Sequence, residues 1–327
     1  MGKLGATKGT DNNMKKINVN AIDRKLCDQA LFAEECNKKY EKKLKAAVER
    51  IADERYERPV ILLSGPSGSG KTTSALKIDN MLDEMNIHTH TISMDDYFLP
   101  AGKFTTAIGE DGKPDYEAPA RIDIEKMTSH MQLISQCEEV VIPRFEFATQ
   151  TVEDGYKLKR DKDDIVIFEG IHALNPLVTG AAGDFARCMY VSVRTRIELS
   201  DGTLVHPSLI RLMRRLIRDE NFRGRTPAET LDMFSSVERG ENKYILPYKF
   251  RAEEDPAFSI DTFLAYEPAV YKNFLIEKIE KESRTYPDFK PFEPMLKLLR
   301  EVEPMDISKV PADSLAREFI GGSSYEY

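Results

Sequence analysis

Tryptophan is absent from this 327-residue chain, and cysteine is scarce, at Cys27, Cys36, Cys137 and Cys188 only. No two of the four form a Cys-x-x-Cys pair, which argues against a disulfide scaffold or a structural zinc site and suits a reducing cytoplasm. No apolar run approaches the roughly 18–20 residues of a membrane-spanning helix. The first twenty residues lack the apolar core of a signal peptide. A surplus of positive charge is missing too: 47 Lys and Arg against 55 Asp and Glu leave −8, which disfavours a general nucleic-acid binder. What remains, 41% hydrophobic and 31% charged, is a globular composition, long enough for one large domain or two smaller ones.

Residues 1–20 are polar and Gly-containing and read as a mobile leader. Over 21–57 the spacing of Leu44, Val48 and Ile51 predicts a helical extension. From residue 58 short apolar runs at 60–64, 87–94, 140–142, 164–168 and 188–193 alternate with helical stretches. That alternation predicts an α/β core with a parallel sheet covered on both faces. The core is expected over 58–265, with a mostly helical segment, 266–327, packed on it. A long connection at 97–120, with an Asp111-Gly112 turn, is of the length that usually carries function.

Gly65-Pro66-Ser67-Gly68-Ser69-Gly70-Lys71-Thr72 fits G-x-x-x-x-G-K-[ST], after a strand and before a helix. Its glycines let successive N–H groups turn toward phosphate oxygens, and the helix N-terminus adds partial positive charge. Lys71 is placed to reach the outer phosphates and Thr72 to ligate Mg²⁺. Two further acidic positions fall at strand ends, where ligands of open α/β sheets bind. Asp95 and Asp96 follow one strand; Glu169 follows Ile165-Val166-Ile167-Phe168 in the manner of a metal-holding carboxylate. Between residues 209 and 225 lie Arg211, Arg214, Arg215, Arg218, Arg223 and Arg225. At about 100° per residue the first four share one face, opposite Leu209, Leu212, Met213, Leu216 and Ile217. Such a guanidinium face predicts a lid helix over phosphates, the lid spanning about 205–250.

In order and spacing these motifs, with Ser93-Met94-Asp95-Asp96-Tyr97-Phe98, Ile142-Pro143-Arg144-Phe145-Glu146-Phe147 and Phe168-Glu169-Gly170-Ile171, resemble the uridine kinase branch of the uridine kinase/phosphoribulokinase P-loop kinases. The resemblance implies a nucleoside-kinase-like P-loop NTPase fold. It implies a nucleotide site of Gly65, Pro66, Ser67, Gly68, Ser69, Gly70, Lys71, Thr72 and Thr73, with Arg214, Arg218 and Arg223 from the lid. Asp95 matches the catalytic carboxylate, with Lys71 and Arg218 acting on the phosphoryl group. Thr72, Glu169 and Asp95 surround the metal position. Asp95, Tyr97, Glu117, Phe145, Phe147, Gln150 and Arg211 fall on the acceptor side, and His172 could line it. Phe145 and Gln150 stand where the family has Tyr and His, and Glu117 where it has Asp, so the acceptor differs from plain uridine.

The expected activity is Mg²⁺-dependent transfer of the ATP γ-phosphoryl group to the 5′-hydroxyl of a nucleoside, in the cytoplasm. A small-molecule acceptor is expected as partner, without nucleic acid or membrane, and a homo-oligomer is left open. The alternatives are the same chemistry on another small polyol, sugar or sugar phosphate, and a nucleotide-dependent regulatory or assembly protein.

Overall fold

The chain enters its core at Val60–Ser64, five consecutive buried residues that only a strand covered on both faces can accommodate. The computed structural model describes residues 15–100, 102–104, 107–108, 112, 115 and 117–327. In chain order the strands are β1 (Lys16–Asn18), β2 (Val60–Ser64), β3 (Thr89–Ser93), β4 (Val140–Glu146), β5 (Thr151–Leu158), β6 (Ile165–Glu169), β7 (Ala186–Ser192), β8 (Arg196–Glu198), β9 (Leu204–Val205) and β10 (Ser259–Asp261). The helices are α1 (Val19–Lys25), α2 (Gln29–Glu54), α3 (Lys71–Asp83), α4 (Ile124–Ser135), α5 (Pro176–Thr179), α6 (Pro207–Arg223), α7 (Pro227–Tyr244), α8 (Phe250–Glu253), α9 (Glu267–Thr285), α10 (Glu293–Glu301) and α11 (Arg317–Ile320). Among the described residues no helix is long and apolar enough to cross a membrane.

Five parallel strands form the central sheet in the order β10-β7-β2-β6-β3, so β2 lies in its middle. Because side chains alternate along a strand, Ile61 and Leu63 join one apolar cluster with residues of α2, α3, α6, α9 and α10. Val60 and Leu62 join a second with Met127 and Met131 of α4. Each such side chain contributes about 1.5–3 kcal/mol when fully buried.

Three expectations change. The run 140–142 is not in the parallel sheet; it lies in β4, which pairs antiparallel with β5 as a separate hairpin. Seven of the eight β5 residues are exposed, so no apolar run announced that partner. The fifth sheet strand is β10, whose Ser-Ile-Asp sequence carries no strand signal. Of the leader, residues 1–14 lie outside the described residues, while β1 pairs parallel with β8 and Asn18 caps α1.

The last twenty residues pack back onto the sheet's ligand-binding end. Ser314, Leu315, Ala316 and Phe319 are fully buried. The Lys77 ammonium in α3, itself buried, reaches Asp313 at 3.1 Å and Glu41 of α2 at 2.7 Å. Neighbouring Ser314 shares a 2.6 Å hydrogen bond with the Tyr266 hydroxyl.

Candidate active site

The Gly-rich segment leaves the end of β2 and turns into α3 through Gly70, whose φ of 86° lies in the left-handed region. A Cβ there would also stand 2.5 Å from Leu315 Cδ1, so backbone and packing both demand glycine. Lys71 and Thr72 then open α3, and with Asp95, Glu169, Arg218, Arg223 and Glu318 they line a cavity of about 220 Å³. The N-terminal amides of a 13-residue helix and the Lys71 ammonium make this the place for phosphate oxygens.

The two acidic positions meet there because β3 and β6 are neighbours in register, Ser93 opposite Glu169. Asp95 follows β3 in a single turn, its N–H donating to Ser93 Oγ at 3.3 Å. Burial raises the Asp95 carboxyl, Lys71 opposes the shift and Asp96 adds to it. Glu169 is raised in the same way, by burial first, against Lys71. Its Oε2 is buried without a hydrogen-bond partner, an orphan that a cation would satisfy. Among the described residues no cluster of three or more His, Cys, Asp or Glu could hold a metal. A hydroxyl with one or two carboxylates fits Mg²⁺, which takes its remaining ligands from phosphate and water. Asp96 is engaged elsewhere, accepting from Phe145 N at 3.3 Å.

The arginine helix forms as its periodicity predicts, but half of its guanidinium face turns into the protein. Arg214 is fully buried and uses all five N–H donors, on Glu267, Thr262 and the Gly68 carbonyl. It has nothing left for a nucleotide and serves as a strut under the loop, which corrects its expected role. Arg211 does the same with bonds to Ser67 O at 3.0 Å and to both Glu241 oxygens. Arg215 reaches Ser67 Oγ at 2.7 Å. Only Arg218 and Arg223 face the cavity. Asp219, fully buried, lies 3.3–3.9 Å from Arg215, Arg218, Arg223 and Arg225 and holds that cluster together.

On the acceptor side, Glu117 packs so closely on α7 that a Cβ on Gly240 would lie 2.4 Å from its own Cβ. Burial pushes the Glu117 carboxyl up to about 7, against the pull of Arg215. Burial holds the nearby His172 imidazole down to about 4, and its Nδ1 has no partner. Its ring meets that of Tyr244 edge-on at 6.0 Å. Phe145 and Phe147 stand 5.1 Å apart at the hairpin tip, each edge-on to Phe98. Gln150, at φ 56°, forms the turn, and its amide is held at both ends, by Arg121 at 3.2 Å and by Phe147 O at 2.8 Å. Tyr97 is not brought to the site: it is 1% exposed and its hydroxyl meets His130 Nδ1 at 3.0 Å.

Sequence reasoning missed Phe98, Arg121, Glu241 and Glu318. Phe98 and Glu241 stand inside motifs, Ser93–Phe98 and Val237–Glu241, and were legible; Arg121 and Glu318 lie in no motif and arrive by folding.

The model of the phosphoribulokinase / uridine kinase family matches residues 60–254. A uridine kinase of Alkaliphilus metalliredigens is 26% identical over 194 residues, covering 59% of this chain and 84% of the relative. A uridine kinase of Clostridium botulinum (strain Kyoto / Type A2) is 29% identical over 201 residues, covering 60% and 87%. The solved D-glycerate 3-kinase of Cryptococcus neoformans var. grubii is 13% identical with a TM-score of 0.33, covering 81% of this chain and 87% of that one. With the matching region spanning the phosphate loop, both strand-end carboxylates and the arginine helix, the chain belongs to the phosphoribulokinase / uridine kinase family of P-loop kinases.

Proposed function

We propose that this kinase transfers the γ-phosphoryl group of ATP to the 5′-hydroxyl of a nucleoside-like acceptor. The observation that carries the reading is the convergence of Lys71, Asp95, Glu169, Arg218 and Arg223 on one cavity. Asp95 accepts the proton of the attacking hydroxyl, and its burial keeps that carboxylate basic. Lys71, Arg218 and Arg223 place positive charge where the phosphoryl oxygens gather negative charge. Thr72, Glu169 and Asp95 would hold Mg²⁺, which when bound supplies charge neutralisation between the phosphates. The Phe98, Phe145 and Phe147 rings offer an edge-to-face platform for a planar ring, and the uridine kinase relatives point the same way.

One observation favours a second reading, phosphorylation of another polyol, sugar or sugar phosphate. The Gln150 amide, the candidate base reader, is already occupied at both ends. A coupled ADP-release assay over nucleosides, sugars and sugar phosphates decides between them. A nucleoside giving the highest kcat/KM is expected; a best acceptor without a base would overturn the nucleoside reading and leave the kinase chemistry standing.

A further inference from the structure

A second cavity, of about 740 Å³, opens beyond the ends of β7 and β10, on the flank of β2 away from Asp95. Its volume falls within the roughly 300–1,000 Å³ of small-molecule sites. Lys15, Lys43 of α2, Arg194, Arg196 and Lys249 line it, with His206 at the start of α6. Asp261 is the one carboxylate among its lining residues. That carboxylate is committed, Oδ1 to the N–H groups of Arg194 and Phe263 and Oδ2 to the Thr195 hydroxyl. Glu253, outside the lining, serves both Arg194 at 2.9 Å and Lys249 at 3.9 Å. Lys43 spends its ammonium on the Asp261 carbonyl, a neutral acceptor, at 2.8 Å. Neither Lys15 nor Arg196 has an ion-pair partner among the described residues. Arg211, also in the lining, is neutralised by Glu241; the other five cations against two carboxylates leave about three positive charges in a concave space, in a chain whose net charge is −8.

Those charges converge from four separate stretches of chain, and like charges so gathered repel one another. Burial lowers the Lys43 ammonium, and Lys15 and Arg194 add to the effect against Asp261. Burial lowers His206 too, with Arg196 adding. An anion in the cavity would relieve both. One carboxylate brings a single negative charge, whereas one phosphate group brings about −1.5 to −2 and accepts a guanidinium fork. The concave shape suits a small molecule, and a net charge of −8 over the whole chain disfavours a nucleic acid.

We propose that this cavity binds a small phosphate-bearing molecule, at a site whose lining shares no residue with the cavity of Lys71 and Asp95, although Pro66 of the phosphate loop and Arg211 stand in its wall. The inference stands whatever the acceptor of the kinase reaction.

The test is calorimetric titration of the full chain carrying Lys71→Met with pyrophosphate, and with citrate in parallel, at 150 mM salt. Saturable pyrophosphate binding is expected, weakened at least tenfold by adding Arg196→Glu, with citrate weaker than pyrophosphate. Lys15→Glu, at an exposed position, repeats the measurement should Arg196→Glu not fold, and is expected to weaken binding several-fold. Absence of saturable binding, or pyrophosphate binding indifferent to both charge reversals, would overturn the proposal. Citrate binding as tightly as pyrophosphate would overturn the phosphate assignment.

Discussion

The Glu318 carboxylate caps Thr73: its Oε2 accepts from the Thr73 hydroxyl at 2.5 Å and from the Thr73 amide at 3.4 Å. The Tyr327 hydroxyl lies 3.1 Å from the same Thr73 Oγ1. Thr73 is the third residue of α3, so a carboxylate holds donors that the helix N-terminus presents to phosphate. A nucleotide competes with it for these donors and meets its negative charge. Glu318→Gln is therefore expected to tighten Mg·ATP binding, on the order of tenfold, since hydrogen bonds to charged groups are worth about 1.5–3 kcal/mol. Titration calorimetry of both forms checks this; weaker binding by the variant would mean that Glu318 helps to hold the nucleotide.

Asp95→Asn removes the proton acceptor without changing shape. It is expected to lower kcat by about 10²- to 10⁴-fold while KM for ATP changes little. Steady-state kinetics with the acceptor found by the screen is the measurement. Near-normal turnover would move the role to Glu169, which lines the same cavity.

Two arginines of one helix should part company. Arg214 and Glu267 form a fully buried pair, so Arg214→Ala leaves an uncompensated carboxylate and is expected to cost about 3–5 kcal/mol of stability. Arg218 faces the cavity, so Arg218→Ala should lower kcat/KM while moving Tm far less. Thermal unfolding beside kinetics separates them, and a stable Arg214→Ala enzyme with weakened nucleotide binding would return Arg214 to the nucleotide.

Glu117 ties stability to pH. Its carboxyl is raised from 4.5 to about 7 in the folded chain, so the folded state holds the proton more tightly than the unfolded one. Its contribution is fully present below the unfolded value and is lost as pH rises through the folded one. Glu117→Gln should therefore gain stability relative to the wild type between about pH 4.5 and pH 7, then level off. A Tm difference that is flat across this window would contradict the burial that causes the shift.

How far the sequence reaches depends on how local the signal is. The phosphate loop is eight consecutive residues between a strand and a helix; Glu169 ends an apolar strand and Asp95 closely follows the strand Thr89–Ser93. Contiguous chain and the geometry of a parallel sheet were enough to bring them together. The arc of arginines on α6 was equally legible, since it needs only the helical repeat. Which way that arc would face was not. Arg211 and Arg214 are turned under the loop by Glu241 and Glu267, which lie 30 and 53 residues away. A charge-pairing partner so remote leaves no mark on the local pattern. The β4–β5 hairpin escaped because β5 is exposed and so has no apolar periodicity to read.

By itself, then, the sequence determined what neighbouring residues can encode: a Gly-rich loop between strand and helix, carboxylates at two strand ends and a helix with one cationic face. Only the tertiary structure decided which of those groups remain free to act. Burial and pairing convert Arg211 and Arg214 from candidate ligands into struts, and a chain segment 245 residues downstream sets Glu318 on Thr73. The physical reason is the same in each case: a buried charge must find its counter-charge, and that partner is chosen by packing rather than by proximity along the chain.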